Sequence, residues 1–210
     1  MDAEVFRTWI ASAAEVIEAN RDHLTQLDAA IGDADHGINL TRGFTAVLGA
    51  LDAASPKVPG AILTLTGNTL ISKVGGASGP LYGTAFRRAG KALGDAADVD
   101  LPALSAALDA ALAGVQQLGA AREGDKTMVD ALAAATRVFG KAVADGASAD
   151  EALGALAEAA EAGAQATIPM QALKGRASYL GPRSVGHEDP GAVSTALILG
   201  ALRDAVRAGR

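Results

Sequence analysis

Apolar residues recur along this chain at the spacing of amphipathic helices. The first such face carries Phe6, Trp9, Ile10, Ala13, Val16 and Ile17. Apolar positions at i, i+3, i+4 and i+7 indicate helices, whereas strict alternation would indicate strands. The pattern predicts about eight helices and no strand. They cover Phe6–Ile17, Ile38–Leu51, Ala61–Val74, Pro80–Gly94, Leu101–Leu118, Thr127–Ala144, Ser148–Ile168 and Asp189 to the C-terminus.

Local signals predict where several helices begin and how they are arranged. Ser148 with Glu151 is a capping box, Asp189-Pro190 is an N-cap followed by a first-position proline, and Pro80 is expected to start the fourth helix. Short connections favour antiparallel neighbours. In an up-and-down order, the four unusual connections, residues 28–39, 75–80, 119–127 and 170–191, fall at one end. We therefore expect one domain over residues 1–210, an all-α bundle or barrel with these loops at one rim.

Composition excludes several classes of function. Apolar residues make up 50% of the chain but aromatic residues only 3%, which favours closely packed helices over sheets. The formal net charge of −6 argues against non-specific binding to nucleic acid or to anionic membranes. No cysteine is present, so a disulfide or a zinc–thiolate site is excluded. Because neither a signal peptide nor a membrane span is apparent, a cytoplasmic location is expected.

Three carboxylates lie close together in a glycine-punctuated stretch. Asp28, Asp33 and Asp35 precede His36 and Asn39 within the segment between two apolar helices. Converging carboxylates repel one another unless a cation or hydrogen-bond donors hold them. Oxygen ligands suit Mg²⁺, which usually keeps water or phosphate oxygens as its other ligands. Each Asp taken singly is more typical of a helix cap or an Asx-turn, but the three together with His36 and Asn39 favour a metal–phosphate site.

Three further loops are candidates for the same site. Val74 to Pro80 is Gly-rich and precedes a helix, which is typical of an anion nest or of a simple helix–helix turn. Gly119 to Thr127 resembles a P-loop, but Asp125 interrupts it and no strand precedes it, so we reject that interpretation. The polar segment from Lys174 to Gly191 offers Arg176, or alternatively Arg183, to phosphate oxygens. His36 is a candidate hydrogen-bond donor to a phosphate, a candidate phosphohistidine or a candidate general base.

Four separated blocks of the chain resemble the DhaL family, the nucleotide-binding subunits of dihydroxyacetone kinases. They are Gly32-Asp-Ala-Asp-His-Gly37, Val74 to Gly83, Gly124-Asp-Lys-Thr-Met128, and Gly175 to Gly181 with Gly186 to Gly191. The blocks occur in order and span the chain. The resemblance implies a barrel of eight amphipathic helices that holds ADP or ATP with Mg²⁺ at one rim.

The resemblance also implies roles for individual residues. The metal ligands would be Asp28, Asp33 and Asp35. The nucleotide contacts would be His36, Gly37, Ile38, Asn39, Ala77, Ser78, Gly119, Met128, Arg176, Asp189, Pro190 and Gly191. Gly119 lies just outside its block. No nucleophile is expected in this chain, because the metals and donors act electrostatically on the nucleotide. On this reading His36 is a contact and not a phosphocarrier.

Two mechanisms are known in such a family. In the phosphoenolpyruvate-driven form, the subunit keeps ADP as a bound cofactor, and a phosphohistidine protein of the phosphotransferase system converts it to ATP. The phosphoryl group then passes to dihydroxyacetone held on a separate subunit. A chain of 210 residues leaves no room for that substrate domain, which favours this form. The alternatives are an ATP-exchanging sugar or polyol kinase subunit and a non-catalytic, nucleotide-loaded regulator. The sequence leaves the oligomeric state open, and a homodimer is one of the alternatives.

Overall fold

The computed structural model describes residues 1–209 and contains only helices in that range. The α-helices are α1 (Ala3–Ala19), α2 (Arg21–Ile31), α3 (His36–Ala54), α4 (Pro59–Lys73), α5 (Ser78–Leu93), α6 (Leu101–Gly119), α7 (Met128–Ala144), α8 (Ala149–Gln165) and α9 (Pro190–Ala208). A 3-10 helix, Arg176–Ser184, lies between α8 and α9. The prediction of an all-α fold is therefore confirmed.

Eight of these helices form a closed ring. From α3 to α8, each helix packs against the next one in sequence. Helix α1 closes the ring by packing between α9 and α3. Helix α2 stands outside this order and lies against α3, α9 and the 3-10 helix. The predicted barrel of sequential neighbours is thus observed, with α2 as an addition at one rim.

Aromatic side chains occupy the centre of the barrel. Trp9 of α1 lies 5.8 Å from Phe6 and 5.7 Å from Phe86 of α5, measured between ring centroids, and Phe86 also lies 6.3 Å from Phe44 of α3. Trp9 Nε1 donates a hydrogen bond of 2.8 Å to the carbonyl oxygen of Ile198 in α9. One buried group therefore joins four helices, and stacked or edge-to-face rings add to the apolar burial.

Helix α2 is the element that the periodicity missed. Only Asn20 separates it from α1, and its buried residues are Leu24, Asp28 and Ile31. Three inward positions, one of them a carboxylate, make too short an apolar stripe to be recognised. The correction matters for function because Asp28 belongs to the last turn of α2 and not to a loop.

Helix starts were predicted with mixed success. The capping box of Ser148 with Glu151 and the N-cap Asp189 before Pro190 are both present. Helix α5, in contrast, begins at Ser78, so Pro80 occupies its third position and not its first. Proline is still tolerated there, because the N–H groups of the first turn have no partner inside the helix. No helix within residues 1–209 is long and apolar enough to cross a membrane.

Glycines allow α4 and α5 to approach closely. A Cβ built on Gly90 would lie 2.6 Å from both the Gly60 carbonyl oxygen and Thr64 Oγ1. No real Cβ approaches a carbonyl oxygen this closely, so the two backbones must separate if a side chain is added. The small residues therefore set the diameter of the barrel on this side.

We predict that Gly90→Ala lowers the free energy of unfolding by about 1–3 kcal/mol, the usual cost of overpacking. Gly200→Ala is the matched control, because a Cβ at Gly200 in α9 meets no atom within 4 Å. That control should gain about 0.5–1 kcal/mol from the better helix propensity of alanine. Urea unfolding measures both, and equal effects of the two substitutions would contradict the close approach.

Candidate nucleotide and metal site

Three carboxylates converge where α2 passes into α3. One oxygen each of Asp28, Asp33 and Asp35 lies within 4.8 Å of the others. Asp28 is buried, Asp35 is partly buried and Asp33 is exposed. The Asp28 Oδ2 atom accepts hydrogen bonds from the backbone N–H groups of Asp35, at 2.9 Å, and of His36, at 3.2 Å. The chain thus turns around Asp28, and the oxygen-only cluster has the composition that Mg²⁺ prefers.

The turn is tight enough to require glycine next to the cluster. A Cβ on Gly32 would overlap Asp28 Oδ1, so any larger residue would displace that carboxylate. Ala34 has a φ of 61°, in the left-handed region that L residues other than Asn and Asp rarely adopt. The Asp28 hydrogen bonds hold this strained backbone, and strain of this kind concentrates at functional sites.

His36 begins α3 and links three parts of the site. Its Nδ1 lies 3.1 Å from Ser78 Oγ, and its Nε2 lies 2.8 Å from Ser194 Oγ in α9. Burial lowers the pKa of His36 to about 4, despite the opposing effect of Asp28. The ring is therefore neutral at pH 7, and both nitrogens are engaged inside the protein. This geometry favours a positioning role over that of a phosphocarrier.

Tyr82 extends the same polar network. Its hydroxyl lies 2.6 Å from Ser194 Oγ and 2.9 Å from Thr195 Oγ1, and it donates to the Gly191 carbonyl oxygen at 2.9 Å. Burial raises the pKa of Tyr82, so the hydroxyl stays protonated. Sequence reasoning missed Tyr82 and Ser194, because only the folded chain brings the Tyr82 side chain of α5 and the Ser194 side chain of α9 to His36.

Two helix N-termini at the site lack a capping hydrogen bond from their own N-cap residue, although Asp28 binds the first N–H of α3. Neither the Asp35 side chain at α3 nor Ala77 at α5 makes a capping hydrogen bond. The first N–H groups of a helix have no partner inside it, and the helix dipole adds partial positive charge there. Such ends are ready to bind phosphate. Asp35, at the start of α3, also keeps its carboxylate available for a cation.

The loop before α7 is held by its own capping box. Thr127 caps Val129 N, while Asp130 accepts hydrogen bonds from Thr127 N at 2.7 Å and from Gly124 N at 2.6 Å. This places Met128 at the cavity wall, as one of its apolar residues. Leu81, Val115 and Ala121 line the same region and leave an apolar surface of the kind that accepts a flat ring.

The segment between α8 and α9 covers the opposite side. Arg176 Nε pairs with Asp33 Oδ2 at 2.7 Å, across an exposed part of the rim. Asp189 caps α9 by accepting from Ala192 N at 2.7 Å. Burial raises the pKa of Asp189 to about 7, although the hydrogen bond from Ala192 and the charge of Lys126 act against this. Lys126, Lys174 and Arg176 therefore bring positive charge to the cavity, and Arg176 directly contacts one of the carboxylates.

These parts enclose a cavity of about 470 Å³. Loops between α2 and α3, α4 and α5, α6 and α7, and α8 and α9 all contribute, so the predicted convergence of four connections at one rim is observed. The residues predicted for the site that line the cavity are Asp28, Asp33, Asp35, His36, Ala77, Ser78, Gly119, Met128, Arg176, Asp189, Pro190 and Gly191. Their binding roles stay predictions. Arg183 does not line it.

Three predicted nucleotide contacts lie beside the cavity and not on it. A Cβ on Gly37 would overlap the Arg21 carbonyl oxygen, so this glycine lets α2 and α3 touch. Ile38 is exposed, and Asn39 is buried with its Oδ1 accepting from Arg42 at 2.8 Å. Gly37 has no side chain, Ile38 does not line the cavity and Asn39 is bonded to Arg42, so a ligand could meet this turn only through backbone N–H groups. That of Asn39 already donates to the Asp35 carbonyl oxygen at 2.8 Å.

A larger groove lies elsewhere on the surface. It has a volume of about 1100 Å³ and runs between α4, α5 and α6. Its lining includes Arg87, Arg88 and Lys91 but none of the predicted site residues. We assign the function to the smaller cavity, because the carboxylate cluster, the uncapped helix ends and the buried polar network all lie there. Size alone does not identify a site.

Comparison with known proteins decides the family. Residues 30–204 match the model of the DAK2 domain. The chain belongs to the DAK2 domain family. This DAK2 domain is 44% identical over 191 residues to the PEP-dependent dihydroxyacetone kinase, ADP-binding subunit DhaL, of Escherichia coli, covering 91% of each chain. It is 38% identical over 198 residues to the corresponding PTS-dependent subunit of Lactococcus lactis, covering 94% and 95%. The resemblance noted from the four blocks is thereby confirmed.

A solved structure supports the same relationship. The dihydroxyacetone kinase of C. freundii in complex with AMP-PNP and Mg²⁺ matches with a TM-score of 0.72 and 28% identity. The match covers 97% of this DAK2 domain and 34% of that kinase, so the chain spans about a third of the larger enzyme. The relatives are thus kinases, a class of phosphotransferase, and one of them binds a nucleotide with Mg²⁺.

We predict that Gly32→Ala weakens Mg²⁺ binding about 10- to 100-fold, the range for residues that orient metal ligands. The new methyl group would displace Asp28 while leaving the core intact, since Gly32 is exposed. Calorimetric titration with Mg²⁺ measures the affinity. Gly49→Ala is the control, because its Cβ meets no atom within 4 Å, and it should bind like the wild type. An unchanged affinity in Gly32→Ala would contradict the geometry.

We also predict that His36 makes the fold sensitive to acid. Its pKa is about 4 when folded and 6.5 ordinarily, so the unfolded chain binds its proton first as the pH falls. The free energy of unfolding should therefore decrease between pH 6.5 and pH 4, by up to about 1.4 kcal/mol per pH unit from this residue. Urea unfolding in EDTA compares the wild type with His36→Gln. Identical pH slopes would rule out a buried neutral imidazole.

Proposed function

We propose that this chain is the nucleotide-carrying subunit of a dihydroxyacetone kinase, with residues 1–210 acting as one domain. One observation carries the proposal: a three-carboxylate cluster, two uncapped helix N-termini and Arg176 surround a single cavity. Phosphoryl transfer requires cations that bridge phosphate oxygens, together with N–H and guanidinium donors. The names of the relatives then supply the substrate class, because the geometry alone would suit other kinases.

The carboxylates fit a magnesium–phosphate group. Asp28, Asp33 and Asp35 would hold Mg²⁺, because their oxygens are hard ligands close enough to share a cation. The cation supplies neutralisation of the charge on the phosphate oxygens. The hydrogen bonds from Asp35 N and His36 N orient the Asp28 carboxylate within the cluster. Arg176, now paired with Asp33, is placed to reach a phosphate as well.

The remaining residues would hold the nucleotide. The first turn of α3, from His36 to Asn39, would lie against the phosphates through the N–H groups of Gly37 and Ile38, since those of His36 and Asn39 already bind Asp28 and Asp35. The start of α5 at Ala77 and Ser78 would offer further backbone N–H groups. Gly119 and Met128 would border the base. Asp189, Pro190 and Gly191 would close the cavity at the start of α9. No side chain here needs to act as a nucleophile, since preorganised charges stabilise the phosphoryl group in transit.

The phosphoenolpyruvate-driven relay is the mechanism we favour. This chain would keep ADP bound, a phosphohistidine protein of the phosphotransferase system would convert it to ATP, and a separate subunit would present dihydroxyacetone. The similarity to free-standing ADP-binding subunits over about nine-tenths of each chain supports this choice. A cytoplasmic location follows from such partners. An ATP-exchanging kinase is the second candidate, supported by 38% identity to human triokinase/FMN cyclase over 187 residues.

The nucleotide content of the purified protein separates these mechanisms. The chain is purified without added nucleotide and denatured, and the released ADP and ATP are quantified by chromatography. Near one ADP per chain supports the captive cofactor. An empty protein that binds and releases ATP freely supports the ATP-exchanging form. Failure to bind either nucleotide with Mg²⁺ present contradicts the proposed function. Turnover in a mixture with the partner subunits distinguishes an enzyme subunit from a non-catalytic regulator.

We predict that Asp35→Asn abolishes phosphoryl transfer and loosens the nucleotide while leaving helicity unchanged. Asparagine keeps the shape of the residue but removes its negative charge. Activity in the reconstituted kinase and the circular dichroism spectrum are the measurements. Asp52→Asn, on the exposed surface of the same helix, is the control. Wild-type turnover in Asp35→Asn would remove the metal assignment.

We predict further that Arg176→Lys weakens nucleotide binding, because an ammonium cannot reproduce the two parallel hydrogen bonds of a guanidinium. An affinity loss of about 10- to 150-fold corresponds to about 1.5–3 kcal/mol, the range for one charge-assisted hydrogen bond. The matched control is Arg183→Lys, in the same 3-10 helix but outside the cavity lining. If both variants bind ADP equally well, Arg176 makes no bidentate contact.

A further inference from the structure

Lys126 is the buried lysine of the site and has no role in the function proposed above. Of the lysines and arginines in residues 1–209, it alone is buried, with 1% of its surface exposed. It lies in the turn before α7 with a φ of 62°, a conformation that a lysine rarely adopts. A buried ammonium is unfavourable unless hydrogen bonds and charges compensate it. Both the burial of the ammonium and the left-handed backbone at Lys126 are therefore unfavourable locally, and other contacts in the fold must compensate them.

The Lys126 ammonium joins the two ends of the segment between α8 and α9. Its Nζ donates to the carbonyl oxygen of Thr167, at 2.6 Å, and to that of His187. Thr167 Oγ1 also accepts from Asp189 N at 2.9 Å. A further bond of 2.8 Å runs from Gly186 N to the Ile168 carbonyl oxygen. These contacts close the base of a loop that spans residues 167–189.

The far end of this loop has weaker attachments. Its Arg176 reaches Asp33 in an exposed ion pair, and such pairs contribute little to stability. Ala172 and Ala177 pack against Ile31 in a small apolar cluster. The position of the loop over the cavity therefore depends on its base and on one backbone hydrogen bond of 3.0 Å, from Leu173 N to the carbonyl oxygen of Asp125, the neighbour of Lys126. Negative charge nearby, from Asp189, Asp130 and Glu188, opposes the lowering of the Lys126 pKa by burial and helps to keep the ammonium charged.

We propose that Lys126 is a positioning residue that closes the base of the loop 167–189 and so holds Arg176 and Asp189 at the cavity. The part of this proposal that concerns ligand affinity rests on the proposed function, whereas the part that concerns the loop does not. A neutral residue at position 126 would remove the donor to the His187 carbonyl oxygen and one of two donors to the Thr167 carbonyl oxygen, which also accepts from Met170 N at 3.1 Å. The base would then open more often, and the two ligand-facing residues would lose their fixed positions.

Lys126→Met tests this directly, because it keeps the length of the side chain and removes the ammonium. We expect faster hydrogen exchange of the amides in 167–189 without nucleotide, and an ADP dissociation constant raised about 10- to 100-fold with Mg²⁺ present. Lys141→Met, which removes an exposed lysine paired with Asp145, should change neither. Leu51→Ala, in the core at the far end of α3, controls for lost stability: it should lower Tm without changing ADP affinity.

Chemical rescue separates positioning from general damage. The chain has no cysteine, so Lys126→Cys can be aminoethylated in denaturant at that one position and refolded. The product carries an ammonium at nearly the original distance. We expect it to regain slow exchange in 167–189 and tight ADP binding, while the unmodified variant does not. Failure of the refolded, aminoethylated protein to regain slow exchange would overturn the proposal.

Two further outcomes are decisive. Lys126→Met with wild-type exchange in 167–189 overturns the proposal, whatever its affinity for ADP. If the wild type itself does not bind ADP, the proposed function fails, but the exchange data still decide the role of Lys126. Should Lys126→Met not fold, the unmodified Lys126→Cys variant takes its place, because it also removes the ammonium from the base of the loop. It should show the same two effects, and their absence would equally refute the proposal.

Discussion

Repulsion among Asp28, Asp33 and Asp35 is the constraint on which the rest of the site depends. Oxygens of three carboxylates within 4.8 Å of one another are stable only if donors or a cation offset their charge. The chain supplies part of this itself, through two backbone N–H groups that bind Asp28 and through the ion pair of Asp33 with Arg176. The remaining negative charge is what the proposed divalent cation would offset.

The barrel provides the rigidity that this arrangement needs. Aromatic packing joins α1, α3, α5 and α9 at its centre, and glycines bring α4 and α5 into close contact. The packed helices therefore fix the ends of the four loops at one rim, although the loops themselves have different structures. The buried network of His36, Ser194 and Tyr82 connects this rim to the walls. A site built on helix ends is more precisely held than one built on free loops.

Periodicity and loop chemistry predicted the all-α fold, the capping signals of α8 and α9, and the gathering of four loops at one rim. They missed α2, because three inward residues interrupted by Asp28 make too weak a stripe. They could not anticipate the Tyr82–Ser194 contact or the burial of Lys126, since both arise from packing between segments far apart in sequence. Pattern reasoning also could not predict that Gly37, Ile38 and Asn39 lie beside the cavity and not on it. A motif gives the order of residues and not the direction in which each side chain points.

The central claim is that a divalent cation and a nucleotide bind together at the carboxylate cluster. The most direct test is a crystal structure of the protein grown with ADP and Mn²⁺, a substitute for Mg²⁺ that gives an anomalous signal. The account predicts an anomalous peak coordinated by Asp28, Asp33 and Asp35, with the ADP phosphates beside it at the starts of α3 and α5. Electron density for the nucleotide in the groove between α4, α5 and α6 would contradict the proposed site. So would the absence of an anomalous peak at the three carboxylates.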